Sequence, residues 1–151
     1  EKASGKADGW WKPGLDDSQW GELATFSKSW CDQGLDNYLG EGWYRTRFTA
    51  PAEVKDADCR LWFGGFDDSV DVYLNGESLG EKKGFMKTAE FEGVGKFLKP
   101  GAENVLAVRV AAGGLAELGT GGIMMPVMIY AVGKPAAAPQ EKKPGGVGYE
   151  M

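Results

Sequence analysis

Two adjacent carboxylates, Asp67 and Asp68, lie between two short apolar stretches of the sequence. Carboxylate oxygens accept hydrogen bonds from sugar hydroxyl groups, and oxygen atoms are also the ligands that a calcium ion prefers. Aspartate is equally common in solvated turns, so the same pair fits a plain connection between strands. The two residues are therefore candidates for binding a carbohydrate or a structural calcium ion, with a solvated turn as the alternative.

Two tryptophans in the first part of the chain, Trp11 and Trp30, offer the flat apolar surface on which a sugar ring stacks. They lie in sequence that is rich in glycine and aspartate, which is typical of loops. Aromatic side chains in a small β domain more often fill the core or anchor loops. We predict Trp11 and Trp30 as ligand-binding residues, with this anchoring role as the alternative.

Three methionines crowd the last apolar stretch of the chain, at Met124, Met125 and Met128. Methionine is adaptable and serves at protein-binding surfaces as well as in cores. These residues, together with Tyr149 near the end of the chain, are predicted to form a partner interface. Ordinary core packing is the alternative for the methionines.

No pattern in the sequence marks a catalytic group. The chain has 22 acidic residues but no histidine, the commonest general base. Glycoside hydrolysis needs an acid and a second carboxylate on opposite sides of one sugar bond, and no two acidic residues stand out as such a pair. We expect neither catalytic residues nor a metal centre or cofactor, and therefore no enzymatic activity.

Composition excludes two classes of partner. The net charge is −5, with acidic and basic residues interspersed, whereas nucleic-acid binding draws on clustered lysine and arginine. No apolar run of about 18 residues is present, so we expect no membrane insertion.

The chain starts at Glu1 without a signal-peptide core, which fits a processed protein or a piece of a longer one. Cys31 and Cys59 fit two free thiols or one disulfide.

The elements that must position these residues are strands. Residues 42–48 alternate, with Tyr44 and Phe48 on one face and Arg45 and Arg47 on the other. The dipeptide Asn75-Gly76 suits a two-residue hairpin turn between apolar runs. Such runs recur at short spacing, which favours six to eight strands in a sandwich or barrel. The other predicted strands are 61–63, 70–74, 77–79, 86–91, 104–110 and 123–132.

The domain organisation follows from changes in composition. Residues 1–8 are polar and are predicted to be frayed, and residues 9–133 form one β-sandwich domain. Residues 134–151 are rich in proline, glycine, alanine and lysine and have little to bury, so they are predicted to be a linker or a docking arm.

Four blocks of sequence, spread over roughly residues 9–132, carry a family resemblance. They are Gly42 to Pro51, Phe63 to Gly76, Leu98 to Val110, and Gly121 to Val127. In this order they resemble the N-terminal sugar-binding domain of family 2 glycoside hydrolases. The resemblance implies a galactose-binding-like jelly roll, in which two antiparallel sheets pack face to face. It also implies that catalytic carboxylates belong to a separate barrel domain and that the Asp67–Asp68 loop faces the rest of the enzyme.

The sequence departs from that family where a sugar site is usually completed. Residues 115–120 lack the acidic and aromatic pattern common before the Gly-Gly-Ile block, and Met124-Met125 stand where an arginine usually follows Ile123. The leading hypothesis is a non-catalytic carbohydrate-binding or accessory module located outside the cytoplasm. The alternative is a structural subunit of a larger extracytoplasmic assembly, which uses the sandwich as scaffold and the tail as docking arm.

Overall fold

The computed structural model describes residues 5–113 and 119–133, which fold as two antiparallel sheets packed face to face. The four-stranded sheet has the order β1-β6-β3-β4, and the three-stranded sheet has the order β5-β2-β7. The predicted all-β antiparallel sandwich is confirmed. The strands are β1 Gly40–Thr49, β2 Asp58–Phe63, β3 Ser69–Leu74, β4 Glu77–Lys83, β5 Ala89–Phe91, β6 Glu103–Ala112 and β7 Val127–Val132.

The core lies between the sheets because alternate residues of each strand point inward. In β2 the inward residues Cys59, Leu61 and Phe63 are fully buried, whereas Arg60 and Trp62 face outward. Cys59 and Cys31 are both free thiols, and burial raises the pKa of the Cys59 thiol. The inward side chains of the four-stranded sheet complete the core; they include Val70, Val72, Leu74, Leu106, Val108 and Val110.

The predicted hairpin turn is present between β3 and β4. Asn75 and Gly76 both have positive φ, at 54° and 88°, as a type I′ turn requires. The Asn75 side chain also donates to the Phe97 carbonyl at 2.8 Å and accepts from the Val105 amide at 2.9 Å. The turn is thereby joined to the neighbouring strand β6.

Two predicted strands are shorter in the structure. The strand predicted over 86–91 contains only Ala89–Phe91, because Met86 has φ 49° and its amide donates to the Phe66 carbonyl in a turn. The last strand begins at Val127, not Ile123, because Pro126 precedes it and Ile123 forms only an isolated bridge with Phe66.

The N-terminal segment, residues 5–23, lies across the outer face of the four-stranded sheet. Lys6 Nζ lies 2.9 Å from Asp71, and Trp10 packs edge-on against Trp43. Residues 5–8 of the predicted frayed start form a turn held on the sheet, and residues 1–4 lie outside the described residues. The predicted tail, residues 134–151, lies outside the described residues. None of the described residues forms a helix long and apolar enough to cross a membrane.

Candidate functional site

Asp67 occupies the loop between β2 and β3 and is completely buried. One carboxylate oxygen, Oδ2, accepts a hydrogen bond of 2.6 Å from the Thr120 hydroxyl. The other, Oδ1, is buried without a hydrogen-bond partner in the described part of the chain. The alternative of a solvated turn is therefore wrong for Asp67, and its carboxylate closes the end of the sandwich against the 119–123 loop.

Asp68 is half-buried beside it, with φ 59°. Its carbonyl accepts a hydrogen bond from the Gly84 amide at 2.8 Å. This bond joins the loop between β2 and β3, where the backbone is strained, to the loop after β4. Among the described residues, no three Asp, Glu, Cys or His side chains are grouped so as to hold a metal ion. Calcium and sugar binding by Asp67 and Asp68 stay predictions.

The prediction that Trp30 offers a surface for a sugar is wrong. Its side chain is 1% exposed and belongs to the core, and its Nε1 donates to the Tyr44 hydroxyl at 2.6 Å. Gly121 and Gly122 pack against the ring so closely that a Cβ at either position would come within 3 Å of it. Trp30 therefore anchors the loop before Ile123, the alternative role that the sequence left open.

Trp11 lies on the outer face of the four-stranded sheet. Its ring stacks on Tyr73 with centroids 5.7 Å apart, and Lys12 Nζ lies 5.6 Å from the Trp11 centroid. The side chain remains half-buried, so part of its surface reaches solvent. Its ligand-binding role stays a prediction, in a position where it also fastens the N-terminal segment.

The three methionines of the predicted interface point in different directions. Met124 is only 9% exposed and faces the core, so its predicted place in the interface is wrong. Val127 and Ile129 of β7 point inward. Met128, between them, therefore points to the outer face of the strand and is 49% exposed. Met125 is half-buried. Tyr149 lies outside the described residues.

Met125 and Met128 belong to a larger apolar surface, which we call the outer apolar face. Met125 lies over Gly65, where a Cβ would come 2.9 Å from Met125 Cγ, and Met86 reaches the same glycine. Trp62 pairs with Met128 across β2 and β7. The residues of the outer apolar face are Trp62, Phe85, Met86, Met125, Met128 and Tyr130, of which Phe85, Met86, Met128 and Tyr130 are exposed by 40–52%.

Trp62, Phe85 and Met86 were not among the predicted interface residues. For Trp62 the signal was present, because it lies between Leu61 and Phe63 in a strand and must point to the opposite side. For Phe85 and Met86 no such signal was present, because Phe85 precedes the strand predicted over 86–91 and a turn replaces the start of that strand at Met86.

Carboxylates around the surface clefts are held in their ionised form. The Arg45 guanidinium holds the pKa of Asp17 below its usual value, and Arg109 does the same for Glu41. A hydrogen bond from the Tyr130 hydroxyl, together with Arg60, lowers the pKa of Glu90. A general acid for glycoside cleavage needs the opposite, a raised pKa.

Comparison with known proteins gives a consistent match. Residues 6–116 match the family described as the second all-β domain of β-galactosidase. A β-galactosidase of Thermoanaerobacter pseudethanolicus is 34% identical over 76 residues, which are 50% of this chain and 10% of that enzyme.

Solved structures give the same result for the fold. A glycosyl hydrolase family 2 member from Bacteroides cellulosilyticus has a TM-score of 0.69 at 24% identity, over 80% of this chain and 18% of that one. A Bacteroides uniformis β-glucuronidase has a TM-score of 0.69 at 28% identity, over 81% and 16% respectively. The chain thus spans less than a fifth of the length of each of these relatives.

Proposed function

Since the chain belongs to the family of β-galactosidase second all-β domains, and is an all-β domain of glycoside hydrolase family 2, we propose that it is a non-catalytic accessory domain. The resemblance seen in the sequence is confirmed at this level. Its role, in this proposal, is to pack beside the catalytic domain of a glycoside hydrolase.

The carboxylates support the non-catalytic part of the proposal. In the described residues, every aspartate or glutamate with a shifted pKa has it lowered, by arginine side chains or by backbone and hydroxyl donors. Such groups are ionised at neutral pH and cannot protonate a leaving group. The Asp67 side chain is fully buried, which supports a structural role for this carboxylate.

The outer apolar face is the observation that supports packing beside a catalytic domain. Four of its six side chains are at least 40% exposed on one sheet face and the adjoining loop, and contiguous exposed apolar surface marks an interaction site. The occupant that we propose is the catalytic domain, because four-fifths or more of each of these relatives lies outside the region matched here.

Activity of the isolated chain tests the non-catalytic part. We expect no turnover of 4-nitrophenyl β-D-galactopyranoside or 4-nitrophenyl β-D-glucuronide above a buffer control at millimolar substrate. Turnover that survives repeated purification, and that is lost when one carboxylate is replaced by its amide, would overturn the proposal.

A charge placed on the outer apolar face tests the packing role. Met128→Lys should leave the melting temperature of the isolated domain nearly unchanged, because the side chain is already 49% exposed. In the complete hydrolase the same change should lower both melting temperature and activity, since it would bury a charge in an apolar contact. Leu39→Lys, at a 37% exposed position directly before β1 of the other sheet, is the matched control. An equal effect of the two substitutions in the complete enzyme would contradict this role.

A further inference from the structure

A second surface feature, unrelated to the outer apolar face, is a cleft along the free edge of β1. Strand β1 is at the edge of the four-stranded sheet, and residues 17–23 run beside it. The space between them has a volume of about 480 Å³, within the range of ligand sites, roughly 300–1,000 Å³. We call it the β1 cleft; its lining includes Asp17, Trp20, Glu22, Trp43, Arg45 and Arg47.

The β1 cleft has an aromatic wall. Trp20 lines it and is half-buried, and its orientation is held by Trp10, which packs edge-on with ring centroids 5.2 Å apart. Trp43 lines the same cleft from the strand. An indole held in this way offers a rigid apolar surface to the C–H face of a sugar ring, with little conformational entropy left to lose.

Two charged side chains that can form further hydrogen bonds, one as donor and one as acceptor, line the same cleft. Arg47 is 40% exposed, and its Nη2 makes only a long contact of 3.4 Å with the Leu15 carbonyl. Glu22 is exposed and makes no hydrogen bond or ion pair with any described residue. A hydroxyl group donates and accepts, so neighbouring hydroxyls of one sugar can use a guanidinium and a free carboxylate together.

The floor of the β1 cleft is rigid. Arg45 is 1% exposed and is bonded to Asp17 at 2.8 Å and to the Trp10 carbonyl at 2.6 Å. Its Nη2 remains buried without an acceptor in the part of the chain that the structure describes. A buried donor without an acceptor costs free energy in a folded protein, and a bound water or ligand is one way to satisfy it.

We propose that the β1 cleft binds a neutral pyranose ring, either a free glycoside or the end of a glycan. The ring would stack on Trp20 while its hydroxyls bond to Arg47 and Glu22. The charges of the cleft already balance, since Asp17 and Glu22 oppose Arg45 and Arg47, so a uronic acid would add an unpaired carboxylate. The inference goes beyond the accessory role, which requires no ligand.

Titration of the protein with simple glycosides tests the inference. Methyl β-D-galactopyranoside and methyl β-D-glucopyranoside are the neutral probes, and methyl β-D-glucuronide is the acidic one. We expect millimolar binding of at least one neutral probe by two-dimensional NMR, with shifts of the Trp20 indole signal, and at least tenfold weaker binding of the acidic probe.

Variants locate the binding. Trp20→Ala and Glu22→Gln should each weaken binding at least tenfold, whereas Phe26→Ala and Glu77→Gln, exposed elsewhere, should not change it. Glu22→Gln keeps the fold, because the side chain touches no described partner, so it remains informative if Trp20→Ala unfolds. No binding of any probe at 50-fold excess, or binding that all variants retain, would overturn the inference. Neither result affects the accessory role, which the turnover and Met128→Lys experiments test separately.

Discussion

Asp17 Oδ2 accepts a hydrogen bond of 2.8 Å from Nε of Arg45, a side chain that is only 1% exposed. The same carboxylate accepts from Arg47 at 2.7 Å. One residue of the N-terminal segment is therefore bonded to two residues of β1. Because a buried guanidinium needs a partner, this segment is an integral part of the fold and forms one wall of the β1 cleft.

Asp17→Ala should lower the free energy of unfolding by about 3 kcal/mol, because it leaves the Arg45 charge buried and unpaired. Urea denaturation followed by tryptophan fluorescence measures the change. Asp8→Ala, at an exposed aspartate of the same segment whose side chain makes no hydrogen bond or ion pair with any described residue, is the control and should leave the urea midpoint unchanged. Equal midpoints for the two variants would contradict the role of Asp17.

Stability should fall in acid through the same contacts. Arginine donors lower the pKa of both Asp17 and Glu41 in the folded state relative to the unfolded chain. The contribution of these two carboxylates to stability is therefore complete above their unfolded pKa values, near pH 4. It is lost as pH falls through their lower folded pKa values. Melting temperatures measured from pH 7 to pH 2.5 should decline less steeply for Asp17→Asn. Parallel curves for wild type and variant would contradict this linkage.

Trp30→Ala should destabilise the domain by about 3–5 kcal/mol, because it empties a core site and releases the loop before Ile123. Tyr44→Phe removes the acceptor of the Trp30 indole and should cost about 1–3 kcal/mol. Phe26→Ala, at a 59% exposed aromatic, should change stability by about 0.5 kcal/mol or less. Chemical denaturation of the three variants measures the differences. A Trp30→Ala loss no larger than that of Phe26→Ala would exclude the anchoring role.

Asp67→Asn should raise the melting temperature. The variant keeps an acceptor for the Thr120 hydroxyl and removes a buried charge that has no cationic partner among the described residues. Asp68→Asn, at the half-buried neighbour, should have a smaller effect. A melting temperature that falls markedly for Asp67→Asn would contradict this prediction.

Much of the fold could be predicted from local patterns. Alternation in β1 and β6 and the Asn75-Gly76 turn depend on neighbouring residues, so the sequence identified them. The site could not be predicted in the same way. Trp30 and Met124 have loop-like or ambiguous surroundings, and their burial depends on Gly121, Gly122 and the facing sheet. Trp20, Glu22 and Arg47 line one cleft only because residues 17–23 run along the edge of β1.

Local patterns in the sequence were sufficient to predict an antiparallel β-sandwich, the position of its central hairpin and its resemblance to a hydrolase family. These features depend on period-two burial, on turn residues and on short ordered motifs, all of which are local properties of the chain. The folded structure was needed to show which carboxylate is buried, which tryptophan reaches solvent and which arginine has an acceptor. The reason is physical: burial and pairing belong to side chains from distant parts of the chain, such as Asp17 and Arg45, and contact between them exists only once the sheets have packed.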